Sequence, residues 1–119
     1  MTITVNDIQN TPRNFTFNLV KSVKPGESVT NEMVRHSMKE TSVEDYDSED
    51  VFAITHFFNG LVGLPTSASG INRNFYGFGL DLRNAPATEE SFDELAHLND
   101  VQMGDNRSFF LGVINSLKQ

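Results

Sequence analysis

The sequence predicts a single α+β domain, a small mostly antiparallel sheet of about three strands covered by three to four helices. Two observations carry that expectation. Apolar residues alternate with polar or small ones at residues 15–23 and 74–83, and they fall at helical spacing at residues 31–41, 48–59 and 88–99. The richest stretch, residues 51–82, holds five of the ten Phe and five of the eight Gly, so the core is expected to form around it.

In chain order, Ile3 and Val5 alternate with Thr2 and Thr4, which predicts an edge strand at residues 2–5. Residues 7–14 read as a loop, with Pro12 unable to donate in a ladder. Phe15, Phe17, Leu19 and Val23 then share one side of a half-buried strand that stops at Lys24-Pro25-Gly26-Glu27, where Pro and Gly stand at the positions a type II turn requires. Thr30 is placed to cap the next helix, with Val29 and Val34 as a hydrophobic staple and Met33, Val34 and Met38 as its apolar stripe.

The helix at 48–59 has Asp47 as its cap and Val51, Ile54, Phe57, Phe58, Leu61 and Val62 on one face, with Asn59-Gly60 as its expected stop. After a loop dense in turn formers, Tyr76, Phe78, Leu80 and Leu82 predict a strand face, and Gly77 and Gly79 lie on the opposite, nearly bare side. Two such glycines mark a place where another backbone comes close, a helix of the same chain or a partner. The next helix opens after Pro86, with Glu89 and Glu90 in its first turn and Phe92, Leu95, Ala96 and Leu98 as its buried side. Phe109, Phe110, Val113, Ile114 and Leu117 favour a last helix at 106–118 over the alternative strand.

A chain of 119 residues fits one domain with a modest core, and the absence of cysteine excludes disulfides, thiolate catalysis and Cys-ligated metal. The N-terminal stretch has no basic region followed by an apolar run, and nothing approaches the roughly 18 apolar residues that cross a bilayer, so a cytoplasmic protein without a membrane partner is expected.

The net charge of −7 is unevenly placed. Between Glu40 and Asn72 there is no Lys or Arg, while Glu40, Glu44, Asp45, Asp47, Glu49 and Asp50 crowd the start of that tract. A second tract, residues 84–106, carries Glu89, Glu90, Asp93, Glu94, Asp100 and Asp105, again without a base. Such tracts repel nucleic-acid phosphates and attract basic protein surfaces. The simpler explanation is that acids favour helix N-termini, which covers Asp47, Glu49, Asp50, Glu89 and Glu90.

Motifs that carry chemistry are scarce. Glu94 and His97 have a Glu-x-x-His spacing, but the di-iron arrangement needs two copies and two further glutamates, so no metal or other cofactor is expected. There is no nucleophile elbow and no Gly-rich phosphate loop, so the chain is not expected to be an enzyme; the weakest alternative is a site lined by His56, Ser67 and Arg73. Tyr76-Gly77-Phe78 is similar to the centre of the aromatic strand of RNA-recognition motifs, but Phe75 stands where that strand carries Gly and Asp81 where it carries an aromatic, and the charge opposes direct nucleic-acid binding.

The expected function is therefore a small acidic protein-binding module, an inhibitor or adaptor of the kind that phages and mobile elements encode. It would dock onto a basic surface of a larger protein through Glu44, Asp45, Asp47, Glu49 and Asp50, with Glu89, Glu90, Asp93 and Glu94 as a second patch. The alternative is a structural subunit of a homo-oligomer, a phage-like accessory or coat protein, joined through the glycine-rich strand face or the loop at residues 60–74.

Overall fold

The computed structural model describes residues 5–41, 47–64, 69–86 and 88–117, with side chains from residue 13 onward other than residue 105. Six α-helices follow one another: α1 Val5–Ser22, α2 Asn31–Glu40, α3 Ser48–Val62, α4 Ile71–Arg83, α5 Glu89–Leu98 and α6 Arg107–Leu117, the last preceded by a 3-10 turn at Gly104–Asn106. Among the described residues there is no strand, so the expected α+β architecture is overturned. The edge strand expected at 2–5 lies outside the described residues except for Val5, which opens α1.

The strand predicted at 15–23 is the second half of α1. Phe15, Leu19 and Val23 are four residues apart, a spacing that keeps one face in a strand and in a helix alike. The residue that decides is Phe17, which a strand would bury beside Phe15 and Leu19; it is 68% exposed, while Phe15 and Leu19 are buried. The helix also runs through the expected loop and through Pro12, whose missing N–H leaves the Ile8 carbonyl without its usual donor. The turn after it keeps the predicted form: Glu27 N–H donates to the Lys24 carbonyl at 3.0 Å and Gly26 takes φ 81°.

The strand predicted at 74–83 is α4. Its buried residues are Phe75, Phe78, Gly79 and Leu82, the i, i+3, i+4, i+7 pattern of a helical face, and Leu80 of the expected strand face is exposed. Gly79 explains the glycines better than a bare strand did. A Cβ built there would run into the Phe57 carbonyl oxygen and lie 2.8 Å from the Leu61 nitrogen, and one built on Gly60 would run into the Tyr76 carbonyl oxygen and lie 3.0 Å from the Leu80 nitrogen. Each helix thus sets its glycine against the other's backbone, and α3 crosses α4 more closely than any side chain permits. The close neighbour expected of the glycines is a helix of the same chain. Gly77 plays no part in this crossing; its missing Cβ would meet the Asn99 side chain.

The other helices follow their sequence signals. Thr30, Asp47 and Thr88 cap α2, α3 and α5, their side chains accepting from the N–H groups of Met33, Asp50 and Ser91. The stop expected for α3 at Asn59-Gly60 comes one turn later, at Gly63 in the left-handed region with φ 75°. Both residues at the expected stop are held by tertiary structure instead: Gly60 by the crossing, and Asn59 by the backbone of Val29. The Val29 N–H donates to Asn59 Oδ1 at 2.7 Å and Asn59 Nδ2 donates to the Val29 carbonyl at 3.0 Å, which pins the α1–α2 connection to α3 in a buried setting. Leu98, expected in the core, is 69% exposed.

Phenylalanine builds the centre. Ring contacts run from Phe15 on α1 to Phe109 and Phe110 on α6, on to Phe57 and Phe75, and from Phe57 through Phe78 to Phe92 on α5. Burying each ring is worth on the order of 1.5–3 kcal/mol, and pairs at these edge-on and offset geometries add about 0.5–1.5 kcal/mol. The radius of gyration, 13.4 Å, matches the roughly 13.5 Å expected of one compact globule of this length.

Candidate functional site

The sequence left open whether the two acidic tracts share one face. They meet at the start of α6. On one side is the N-terminus of α3, where Asp47 caps the helix through Oδ1, which accepts from the Asp50 N–H at 2.9 Å, and where Glu49 and Asp50 fill the first turn. The Asp50 side chain is hydrogen-bonded to Asn106, the last residue of the 3-10 turn. The next residue, Arg107, opens α6 and reaches the second tract. Its Nε donates to Asp93 Oδ1 at 2.9 Å and its Nη2 to Asp93 Oδ2 at 2.8 Å, a bidentate pair, while Nη1 stands 3.7 Å from Glu89 Oε1. The guanidinium also lies over the Phe92 ring, 5.6 Å from its centroid.

Neighbouring residues 106 and 107 therefore hold one acidic tract each. Burial, then the nearby charges of Asp47 and Glu49, pushes the Asp50 carboxyl above its ordinary range, with the Asn106 bond opposing. Asp93 is shifted the other way, because its hydrogen bonds to Arg107 favour the carboxylate, and the same bonds raise Arg107. On the α2 side, Arg35 donates from Nη2 to the Ser48 hydroxyl at 3.1 Å and so stands at the edge of the α3 N-terminus.

The predicted residues fall into three groups. Glu44 and Asp45 lie outside the described residues. Asp47, Asp50, Glu89 and Asp93 have internal work, as cap, as partner of Asn106 or as partners of Arg107. Glu49, Glu90 and Glu94 are exposed and point no carboxylate at a cation of the chain in any described ion pair. Arg107 is the residue that sequence reasoning missed. Its only signal was its place as the first base after a long base-free tract.

The remaining sequence candidates do not converge. His36 Nε2 and Glu40 Oε1 are 2.7 Å apart on the exposed face of α2, and among the described residues no three His, Asp or Glu side chains gather as a metal site would require. His56 is half-buried in α3, where burial lowers its pKa; Arg73 is exposed in the first turn of α4, and Ser67 lies outside the described residues. Tyr76, of the segment that resembles an RNA-binding strand, sits on helix α4 and donates its hydroxyl to the Leu64 carbonyl at 3.0 Å. Among the described residues no helix is long and apolar enough to cross a membrane. No protein-family model matches the sequence, and neither a curated protein nor a solved structure shows significant similarity to it.

Proposed function

We propose that the protein is a small acidic binding module, an inhibitor or adaptor that docks onto a basic surface of a larger protein. The observation that supports this reading is the convergence of two acidic tracts, far apart in sequence, around Asn106 and Arg107. Arg107 uses its charge on Asp93 and Glu89, so it holds the face together while Glu49, Glu90 and Glu94 stay exposed at its rim. Carboxylates fixed on helices at such a face can stand where phosphates would stand on a nucleic-acid-binding protein, and the overall charge of −7 steers the encounter over a Debye length of about 8–10 Å.

The test is capture from a lysate of the source cells by the tagged chain and by a Glu49→Lys, Glu90→Lys, Glu94→Lys variant that melts as the wild type does. The expected result is one larger basic protein, held by the wild type at low salt, released at high salt and not held by the variant. Reversal of Glu27 and Glu32, which lie outside both tracts, is expected to leave capture intact. Capture that is indifferent to the triple reversal would sink the reading.

A further inference from the structure

Helix α1 carries a second charged surface, opposite in sign to the rest of the chain. Residues 8–26 contain no Asp or Glu, and Arg13, Phe17, Val20 and Lys21 recur at i, i+4, i+7 and i+8, one outward stripe, with exposed Lys24 in the turn just past the helix end. Phe17 is 68% and Val20 46% exposed, so the stripe joins two large apolar side chains to two cations, with Lys24 a third just beyond it. On α5, the face turned away from buried Phe92 and Ala96 carries Glu90, Glu94 and Leu98 at i, i+4 and i+8, with Leu98 69% exposed.

We propose that these two stripes bind each other between copies of this chain, α1 of one copy lying antiparallel on α5 of the next. The register follows from helix geometry. Phe17 to Lys21 and Leu98 to Glu94 are each four residues, about 6 Å of rise, so an antiparallel pair that sets Leu98 on Phe17 and Val20 sets Glu94 on Lys21 and carries Glu90 past the end of α1, towards the turn that holds Lys24. Arg13 then falls past Leu98 towards Asp100, at the negative end of the α5 dipole. A parallel pair with Leu98 on Phe17 would set Glu94 on Arg13 but leave Glu90 without a cation and carry Lys21 past the end of α5, so it matches fewer charges. Two α1 stripes related by a two-fold axis would bring cations together, so the self-complementary alternative is repulsive. Within one chain α1 packs on α2 and α6 while α5 packs on α4, which leaves both stripes outward. The contact is head-to-tail and propagates into a ring or a chain of copies. It covers Glu90 and Glu94, so self-association and partner docking exclude each other.

This inference does not rest on the proposed partner and is read on the purified chain alone. Sedimentation velocity at low salt over a micromolar concentration series is expected to show growth beyond the monomer. Phe17→Ser, at an exposed position that leaves the melting temperature unchanged, abolishes the growth without reducing partner capture. Lys21→Glu and Glu94→Lys each abolish it, and the two together restore it. A chain that stays monomeric throughout, association that survives all three single changes, or a double variant no better than the singles overturns the proposal. So does a monomer that instead pellets with anionic phospholipid vesicles in a manner dependent on Phe17 and Lys21.

Discussion

Gly77 and Gly79 offer the sharpest test of the helical fold, because the strand and the helix treat them differently. In a strand, residues two apart share a face, so both glycines would respond alike to a methyl group. In α4 they point about 200° apart, and only Gly79 faces α3. The Cβ of Gly79→Ala has nowhere to go: the Phe57 carbonyl oxygen, the Leu61 nitrogen at 2.8 Å and the Gly60 carbonyl carbon at 3.2 Å are all backbone, and none can rotate away. Forcing the helices apart also loosens the Phe57–Phe78 contact, whose ring centroids are 5.4 Å apart. Overpacking of this kind costs about 3 kcal/mol at the upper end of its usual range, and alanine returns about 1 kcal/mol of helix propensity, for a net loss of about 2 kcal/mol. For a domain of this size that lowers Tm by roughly 6–12 °C. The Cβ of Gly77→Ala meets one side-chain atom, Asn99 Oδ1 at 2.9 Å, which can shift, so stability should be unchanged or rise by up to about 1 kcal/mol. Urea unfolding followed by far-UV circular dichroism reads both variants. Equal losses for the two, or a silent Gly79→Ala, would refute the crossing and with it the helical assignment of residues 71–83.

Phe57→Ala and Phe78→Ala remove buried rings at the centre of the aromatic cluster, and each should lower the unfolding free energy by roughly 3–5 kcal/mol in the same assay. Asn59→Ala leaves the Val29 N–H and carbonyl without partners in a buried setting. A loss of about 3 kcal/mol is expected, with hydrogen exchange at Val29 accelerating before that of α3. Arg107→Gln should show its effect through pH. Asp93 is held below its ordinary pKa, so the unfolded chain binds the extra proton and the stabilisation is present above the unfolded value of roughly 3.9. Urea midpoints of wild type and variant should therefore differ at neutral pH and converge as pH falls through the depressed Asp93 pKa. A gap that persists at low pH would assign the role of Arg107 to its contact with Phe92 instead.

The caps Thr30 and Asp47 were legible in the sequence because they are local and announce α2 and α3 within four residues of each helix start, and Pro86 with Glu89 and Glu90 announced α5, which Thr88 caps. The two helices read as strands were not, for reasons particular to each. In α1, the spacing of four between Phe15, Leu19 and Val23 fits both periods, and the exposure of Phe17 and the burial of Thr16 separate them. In α4, the alternation of Tyr76, Phe78, Leu80 and Leu82 coexists with the helical set Phe75, Phe78, Gly79 and Leu82, and Gly79, having no side chain, does not register as part of an apolar face. Gly79 is there for α3, a reason that lies outside its own segment. The same holds for Asn59 and Gly60, whose helix-stop signature is overridden by a buried loop bond and a helix crossing.

The candidate face was half legible. Composition marked both acidic tracts, and the preference of acids for helix starts accounted for several of their members. What joins the tracts is Asp50 meeting Asn106 and Arg107 meeting Asp93, contacts between segments remote in the chain that no local pattern encodes.

The most direct measurement is hydrogen–deuterium exchange on the free chain and on its complex with the captured protein. If the tracts form one docking face, the first turns of α3 and α5 and the start of α6 gain protection together, while α2 keeps its free-state exchange and α1 gains no protection. Protection confined to one tract, or centred on α1, would contradict it.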